Sequence, residues 1–270
     1  MHSRSEIAAD LRALGLARGD VVMVHASLRA IGEIAGGPDE VHLAIRTVVG
    51  TSGTMFMYAS CPEYVDEVGR GRLTAEQEAE ILEKLPPFDP ETARSARDNG
   101  ALVELFRTYP GSRVNHHVAR FVVWGKHTDY LISPQPWDFP FGRGTLLDRF
   151  VELDGKILLL GSDHDNVTFL HYAEHIAEIP DKRIARFRVP IEENGVRVWR
   201  ETAEYDTSSQ GVHANWPDNF FALLVDGYLE AAGNRGGRVG NAASYLINAR
   251  GLLEYALPVM EAVAAGQRRQ

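Results

Sequence analysis

The stretch KILLLGSDHDNVTFLHYAEH, residues 156–175, decides the fold class of this chain. Its first five residues form a short apolar run that stops at Gly161, which is typical of a buried strand. The residues that follow have helical spacing, and either Asn166 or Thr168 is expected to cap the start of the helix. A strand that leads into a helix is the unit of α/β folds, which bind ligands in the crevice beyond the carboxyl ends of their strands.

The same alternation of strands and helices continues on both sides of this segment. Ser3 and Glu6 have the spacing of a capping box, which predicts that a helix begins there. Apolar runs predict strands at 20–25, 54–59 and 121–124, and helical spacing predicts helices at 39–49, 220–232 and 251–264. We therefore expect an α/β fold with a mixed central sheet and helices on both faces, formed by residues 1–270 as a single domain.

A β-hairpin is predicted between residues 186 and 200. Two alternating runs flank Asn194 and Gly195, the dipeptide most typical of a two-residue hairpin turn. Pro190 has no amide hydrogen, so its strand should lie at the edge of a sheet. The hairpin is expected to be an excursion from the central fold.

The charge of the chain limits the classes of partner. Twenty-eight Lys and Arg against 37 Asp and Glu give a net charge of −9, with the ten His counted as neutral. Binding to a nucleic-acid backbone needs clustered basic side chains, so this balance argues against a nucleic-acid partner. A negative protein attracts cations, so the composition suits a cationic ligand.

The sequence also predicts the compartment. No run approaches the ~18 apolar residues of a membrane helix, and the amphipathic start lacks the apolar core of a signal peptide. Cys61 is the single cysteine, so no intrachain disulfide can form. We expect a cytoplasmic protein without membrane contact, and association into a homodimer stays open.

The acidic residues are concentrated between residues 61 and 90, a segment that contains eight acidic and three basic side chains. The irregular parts of this segment, Glu63–Glu67 and Asp89, are expected to line a mouth that attracts a polycation. The alternative is a solvated helix face, which fits the helical part from Glu76 to Lys84.

One chemistry that the segment after the central strand permits is zinc binding. His171, Glu174 and His175 spell H-x-x-E-H, in which two histidines four residues apart share one helix face. A catalytic zinc would need a third protein ligand. The sequence therefore leaves open a zinc hydrolase.

The other chemistry is general-base catalysis by His171, since histidine titrates near neutral pH. Such a base needs a carboxylate to orient the ring and stabilise its charged form. Glu204 and Asp206 are two residues apart at the end of a strand, which would put both on one face and Tyr205 on the other. The alternative is that both carboxylates face solvent.

Nucleophilic catalysis has weaker support. Ser162 follows its strand without the glycine pattern of a nucleophile elbow, and Cys61 has no histidine near it in sequence.

Several separated blocks resemble the aminoglycoside 3-N-acetyltransferases. Beside SDHDNVTFLHYAEHIAEIPDKR at 162–183, these are GDVVMVHASLRAIG at 19–32, PPFDPETA at 86–93, TAEYD at 202–206 and, less closely, GSRVNHH at 111–117. The blocks occur in the family's order, and the resemblance runs nearly from end to end. It implies an α/β sandwich distinct from the GNAT acetyltransferases.

The resemblance implies a reaction as well. An acetyl group would pass from acetyl-coenzyme A to the 3-amino group of the 2-deoxystreptamine ring of an aminoglycoside antibiotic, without a metal. His171 corresponds to the family's catalytic histidine, Glu204 and Asp206 to the acidic pair that works with it, and His25 to a histidine on the coenzyme A side. Backbone N–H groups near the helix start are expected to meet the charge on the thioester oxygen.

The resemblance also assigns binding residues. Those expected to contact coenzyme A are His25, Ser27, Leu28, Arg29, Arg113, Val167 and Thr168. Those expected to contact the cationic drug are Tyr58, Glu63, Asp66, Asp89, Asp165, Glu174 and Asp206.

Three positions depart from the family pattern. Asn115-His116-His117-Val118 stands where many relatives have S-A-H-P, Cys61 where they often have tryptophan, and Asn215, with Asp218 nearby, where they have a glutamate. These positions would face the drug, so the departures leave the substrate profile open. A binding protein that holds cationic drugs without turnover is a further alternative.

Overall fold

The central strand of the computed structural model is Lys156–Leu160, as the sequence predicts. The structure describes residues 1–61, 73–206 and 216–266. In chain order the strands are β1 (Val21–Ala26), β2 (Thr54–Tyr58), β3 (Arg113–Val114), β4 (Phe121–Gly125), β5 (Lys156–Leu160), β6 (Ile184–Glu193), β7 (Val196–Tyr205), β8 (Gly237–Val239) and β9 (Ala242–Asn248).

Seven of these strands form a mixed sheet in the order β3-β4-β2-β1-β5-β9-β8. β1 is parallel to both β2 and β5, whereas β4 and β9 join antiparallel on either side. The predictions of β1, β2, β4 and β5 are confirmed. The sequence did not indicate β3, β8 or β9, of which β3 and β8 are only two and three residues long.

Helices cover both faces of the sheet, as predicted. The α-helices are Arg4–Ala13, Leu28–Ile31, Asp39–Val49, Ala75–Lys84, Ala101–Thr108, Thr128–Leu131, Leu146–Glu152, Leu170–Ile176, Phe220–Ala231 and Ala249–Ala264, and short 3-10 helices occur at Arg97–Asn99 and His164–Asn166. The predicted capping box of Ser3 and Glu6 is present.

Alternate residues of each strand feed two separate cores, as the period of two requires. Met23 and Leu159 belong to the core beneath the helices Leu170–Ile176 and Ala249–Ala264. Val24 and Leu158 belong to the opposite core. Since His25 is two residues from Met23 and pairs with Leu159, its side chain lies on the same face as the helix of His171.

The predicted hairpin is a separate two-stranded sheet of β6 and β7. Asn194 and Gly195 both have positive φ, as a type I′ turn demands. Pro190 lies on an edge as expected, and its carbonyl accepts a hydrogen bond of 2.6 Å from the Phe88 amide. Behind the hairpin Cys61 is fully buried against Phe88 and its neighbours.

A buried arginine joins the hairpin side of the molecule to the central sheet. Arg120 is 0% exposed, and its guanidinium donates to the carbonyls of Ala59, Pro90 and Ala93. It therefore fixes the segment that follows the helix Ala75–Lys84 to the end of β2. Within the described residues, no helix is both long enough and apolar enough to span a bilayer.

Candidate active site

A cavity of about 500 Å³ opens beyond the carboxyl ends of the parallel strands β1, β2 and β5. We call it the large cavity. Its walls are Val24, His25, Ala26, Ser27, Met57, Tyr58, Asp98, Asn99, Gly100, Val103, Gly161, Ser162, Asp163, Asp165, Asn166, Val167, Thr168, His171 and Phe221. The cavity lies where parallel strands of an α/β fold end, which is where ligands bind in such folds.

A second cavity of about 190 Å³ adjoins the first and shares Asp165, His171 and Phe221 with it. We call it the acidic cavity. Its other walls are Glu174, Trp216, Pro217, Asp218 and Phe220. Three carboxylates and three aromatic rings surround this space, a combination that suits a cation. His171 is therefore exposed to both cavities.

His171 is held by a buried carboxylate one helical turn away. Its Nδ1 lies 2.5 Å from Oε2 of Glu174, whose side chain is 2% exposed. Because Nδ1–H donates to the carboxylate, the lone pair of the neutral ring is on Nε2. The ring also packs against Phe141 and Phe221, which limits its rotation.

The charge around His171 favours the protonated ring. Burial by itself would lower the pKa of His171, but the charge and hydrogen bond of Glu174, followed by the charges of Glu204 and Asp165, raise it above the ordinary value. The imidazolium is thus stabilised where a proton would be taken up.

The expected roles of Glu204 and Asp206 remain predictions. Glu174, which the sequence analysis assigned to the drug, hydrogen-bonds the His171 ring. Glu204 is buried at the end of β7 and acts on His171 through its charge. Asp206 is half-buried just after the strand, and its amide donates to the carbonyl of Arg183. Tyr205 packs against Phe139 and His175.

His25 lies in the large cavity on the face that also carries His171. Its Nε2 is buried and has no hydrogen-bond partner among the described residues. Burial lowers the pKa of His25 to about 4, so the ring is neutral at pH 7. A neutral imidazole can donate one hydrogen bond without carrying a charge.

Three residues assigned to coenzyme A line the large cavity in addition to His25, namely Ser27, Val167 and Thr168. The amide of Ser27 donates to the carbonyl of Leu160, and its hydroxyl caps the short helix Leu28–Ile31. The turn after β1 is therefore tied to the end of β5.

The other coenzyme assignments lie elsewhere. Neither Leu28 nor Arg29 is among the described residues that line the large cavity, and Arg29 is exposed. Arg113 is on the short β3 at the outer edge of the sheet, where it forms an ion pair with Asp129. The structure does not bring these three side chains to the cavity wall.

The start of the helix of His171 also differs from expectation. The helix begins at Leu170, after Phe169, which makes no side-chain cap, so neither Asn166 nor Thr168 is the cap. The amides of Leu170, His171 and Tyr172 donate to the carbonyls of Val167, Thr168 and Phe169. These three N–H groups are therefore already engaged, and the expectation that other amides near the helix start meet the thioester oxygen stays a prediction.

The residues assigned to the drug are divided among several places. Tyr58 and Asp165 line the large cavity, and Asp165 and Glu174 line the acidic one. Asp89 does not line either cavity, because its carboxylate accepts from the Glu91 amide and the Thr92 hydroxyl in a local turn. Glu63 and Asp66 lie outside the described residues.

The acidic segment contains the predicted helix at Ala75–Lys84, which buries Leu82 alone. Its carboxylates are exposed or half-buried, as in the solvated-face alternative. Sequence reasoning missed further parts of the walls, among them residues 98–100 and Phe221. Gly100 has a positive φ and directly precedes the helix Ala101–Thr108. The glycine itself was the one sequence signal for this part of the wall.

The geometry does not fit a zinc site. Nδ1 of His175 contacts the carbonyl of His171, and its ring packs on Phe139, Phe141 and Tyr205. Burial lowers the pKa of His175 to about 3. In the parts of the chain that the structure describes, no three His, Cys, Asp or Glu side chains are grouped to hold a metal.

Among the positions that depart from the family pattern, His117 is held by two hydrogen bonds. His117 is 1% exposed; Nδ1 accepts from the Ala119 amide, so Nε2–H donates to the carbonyl of Trp137. His116 is exposed. The described walls of the two cavities do not include His116, His117 or Cys61. Asn215 lies outside the described residues, whereas Asp218 lines the acidic cavity.

Comparison with known proteins gives a consistent match. A family model described as aminoglycoside 3-N-acetyltransferase matches residues 23–261. Aminoglycoside N(3)-acetyltransferase III of Pseudomonas aeruginosa is 32% identical over 264 residues, which cover 96% of this chain and 94% of the relative.

Solved structures are similar over the same length. AAC-IIIb in its binary complex with CoASH has a TM-score of 0.87 and 37% identity, with 96% of each chain covered. AAC-VIa bound to sisomicin has a TM-score of 0.88 and 34% identity, with 97% of this chain and 98% of the other covered. The fold expected from the sequence is confirmed by both.

Proposed function

Because this chain belongs to the aminoglycoside 3-N-acetyltransferase family, we propose that it transfers the acetyl group of acetyl-coenzyme A to the 3-amino group of a 2-deoxystreptamine aminoglycoside. It is thus an acyltransferase, and the acetylated drug would be inactive, which confers resistance. The observation that supports this best is that His171, paired with Glu174, lies on the wall common to the two cavities. Two substrates that enter from different sides meet at one base.

In the proposed mechanism His171 takes a proton from the amine. An ammonium group has no lone pair, so it cannot attack a thioester until a base has removed a proton. Nε2 of His171 accepts this proton while Glu174 stabilises the imidazolium through Nδ1–H. A base of this kind contributes on the order of 10²–10⁴ in rate. Coenzyme A thiolate then leaves with little assistance, since it is a weak base.

Glu204 assists His171, whereas Asp206 contacts the drug. Glu204 supports the imidazolium through its charge, since it is one of the groups that raise the pKa of His171. Asp206 follows it after β7, and we assign it to a second ammonium group of the drug. His25 acts on the coenzyme side of the large cavity, together with Ser27, Val167 and Thr168.

The two substrates occupy the two cavities. Relatives have been solved with CoASH and with sisomicin, and we extend both ligand classes to this chain. The uncharged arm of acetyl-coenzyme A would fill the large cavity. The drug would place its 3-amino group in the acidic cavity, where Asp165, Glu174 and Asp218 favour a cation.

Thiol release from acetyl-coenzyme A tests the proposal. We expect release with at least one gentamicin-, kanamycin- or apramycin-type acceptor and a 3-N-acetylated product by mass spectrometry. His171→Ala should abolish turnover while the affinity for coenzyme A is retained. Binding of the drug without thiol release in the wild type would instead indicate a binding protein.

We also propose that residues 1–270 act as one domain in the cytoplasm. Light scattering after size-exclusion chromatography tests whether two copies form a homodimer.

A further inference from the structure

Two buried polar atoms in the large cavity lack a hydrogen-bond partner within the described residues. They are Nε2 of His25 and the hydroxyl oxygen of Ser162. A buried polar group without a partner costs stability, and such groups in native proteins are few and call for an explanation. Both atoms belong to residues that line the same cavity as His171.

Ser162 is held in place by the glycine before it. Gly161 has a φ of +62°, and its amide donates to the carbonyl of Ala243. A Cβ on Gly161 would lie 2.4 Å from the Cβ of Ala30, so a side chain at this position would clash with the turn after β1. Ser162 is thus fixed two residues after β5, while His25 is fixed on the adjacent β1.

The reaction requires hydrogen-bond donors for the thioester oxygen. Negative charge develops on the thioester oxygen as the amine attacks, and donors aimed at that oxygen stabilise the transition state. The amides of Leu170, His171 and Tyr172 are already bonded to carbonyls. His25 and Ser162 carry unpartnered polar atoms in the same cavity as His171.

We propose that the Ser162 hydroxyl and the Nε2–H of His25 donate hydrogen bonds to the carbonyl oxygen of the acetyl thioester. The inference rests on the proposed acetyl transfer. His25 is neutral at pH 7, so it donates without adding a charge. Ser162 is thereby a hydrogen-bond donor in catalysis, not a nucleophile.

Acetyl transfer consists of the addition of the amine to the thioester and the elimination of the thiolate. The amine nitrogen forms a bond to the carbonyl carbon, and the C=O π electrons move to the oxygen, which receives the two hydrogen bonds. The ammonium loses its first proton through His171 to solvent before the attack, and His171 takes the second proton from nitrogen as the new bond forms. The electron pair then returns to restore C=O, the C–S bond breaks, and coenzyme A leaves as a thiolate that is protonated by His171 or by solvent. No oxidant or further reactant is needed.

Steady-state kinetics of Ser162→Ala give the first test. We expect kcat to fall by about 10²-fold, the loss typical of one such donor, with KM for acetyl-coenzyme A within twofold. Ser162→Thr keeps a hydroxyl and should recover most of the rate. Ser244→Ala is the matched control, because Ser244 is also buried but its hydroxyl already donates to the Ala242 carbonyl outside the cavity.

A spectroscopic test separates this role from a structural one. Isotope-edited infrared spectroscopy of bound [1-¹³C-acetyl]-coenzyme A reports the strength of hydrogen bonds to the thioester oxygen. We expect the C=O band to lie at lower frequency in the wild type than in solution, and to return toward the solution value in Ser162→Ala and in His25→Ala. Coenzyme A without the acetyl group should bind the wild type and Ser162→Ala equally.

The outcomes distinguish this inference from the proposed function. If the wild type acetylates a drug but Ser162→Ala keeps its kcat and its C=O frequency, the donor role is refuted and the acetyltransferase stands. A wild type that binds acetyl-coenzyme A but acetylates nothing refutes the proposed function, while the infrared comparison still decides the donor contacts. If Ser162→Ala does not fold, Ser162→Cys, a weaker donor, should show an intermediate band and rate; wild-type values would refute the proposal.

Discussion

Replacing Glu174 by glutamine removes the charge beside His171 with almost no change in size. In the wild type Nδ1–H of His171 donates to a carboxylate that is 2% exposed. Glutamine still offers an oxygen to this N–H, so the ring orientation is retained. The variant therefore isolates the stabilisation of the imidazolium from the positioning of the ring.

The size of the effect follows from this contact. A hydrogen bond to a charged group contributes about 1.5–3 kcal/mol, and 1.36 kcal/mol corresponds to a tenfold change in rate. We therefore expect kcat to fall by about 10- to 160-fold. The fall should be in the upper part of this range, because Glu174 is buried and its charge is little screened by solvent.

The pH dependence should change as well. In the wild type burial lowers the pKa of His171, but Glu174, Glu204 and Asp165 together raise it above the ordinary value, so kcat/KM should rise with pH through an apparent pKa above 6.5. Loss of the largest raising contribution moves this limb to lower pH in Glu174→Gln. The variant is thus slower at its plateau but reaches the plateau at lower pH.

Initial rates of thiol release between pH 5 and 9 test both expectations. Glu178→Gln is the matched control, because Glu178 is exposed just beyond the same helix and its loss should leave kcat and the pH limb unchanged. If Glu174→Gln kept kcat within twofold and the same limb, Glu174 would not be the partner of the base. The role would then return to Glu204 and Asp206.

Three further predictions follow from other parts of the molecule. Gly161→Ala should destabilise the fold and lower kcat more than Gly233→Ala, as measured by urea unfolding and by turnover. Both glycines have a φ of +62°, but a Cβ at Gly161 would lie 2.4 Å from the Cβ of Ala30, whereas a Cβ at Gly233 would meet nothing within 4 Å. Burial lowers the pKa of His117 to about 4, so the ring stays neutral in the fold while the unfolded chain binds a proton below about pH 6.5. The free energy of unfolding should therefore decrease by up to about 1.4 kcal/mol for each unit by which the pH is lowered between these values. Urea titrations of His117→Asn should show a smaller dependence on pH than those of His116→Asn, the control at an exposed site. Added salt should raise KM for the drug more than KM for acetyl-coenzyme A, since the carboxylates of the acidic cavity attract the drug through charge that salt screens; equal effects would contradict this placement.

Much of the fold could be predicted because its central strands are continuous apolar runs. β5 and β1 are buried on both faces, so their composition identifies them without reference to a partner. β9 could not be found this way, since its burial alternates and its sequence AASYLIN contains polar residues. Its register with β5, from Lys156 to Leu160, is a long-range property that no local pattern encodes.

Part of the site could be predicted for a similar reason. His171 is identified by its place after a strand and by the family blocks around it. Its carboxylate partner could not be chosen from the sequence, because Glu174 at i+3 and Glu204 on a distant strand are equally acceptable there, and only the structure shows that Glu174 hydrogen-bonds the ring. The wall at Asp98–Gly100 comes from a different segment, which only the tertiary fold brings to β1.

The placement of charge also limits how the two substrates approach His171. The described walls of both cavities contain no Lys or Arg, whereas Asp98 and Asp163 add to the carboxylates near the base. These carboxylates favour a polycationic drug and repel the phosphates of coenzyme A. The charged end of the coenzyme must therefore remain outside the large cavity while its uncharged arm enters. The unpartnered atoms of His25 and Ser162 suit that arm, because they are hydrogen-bonding groups without charge on residues that line the large cavity.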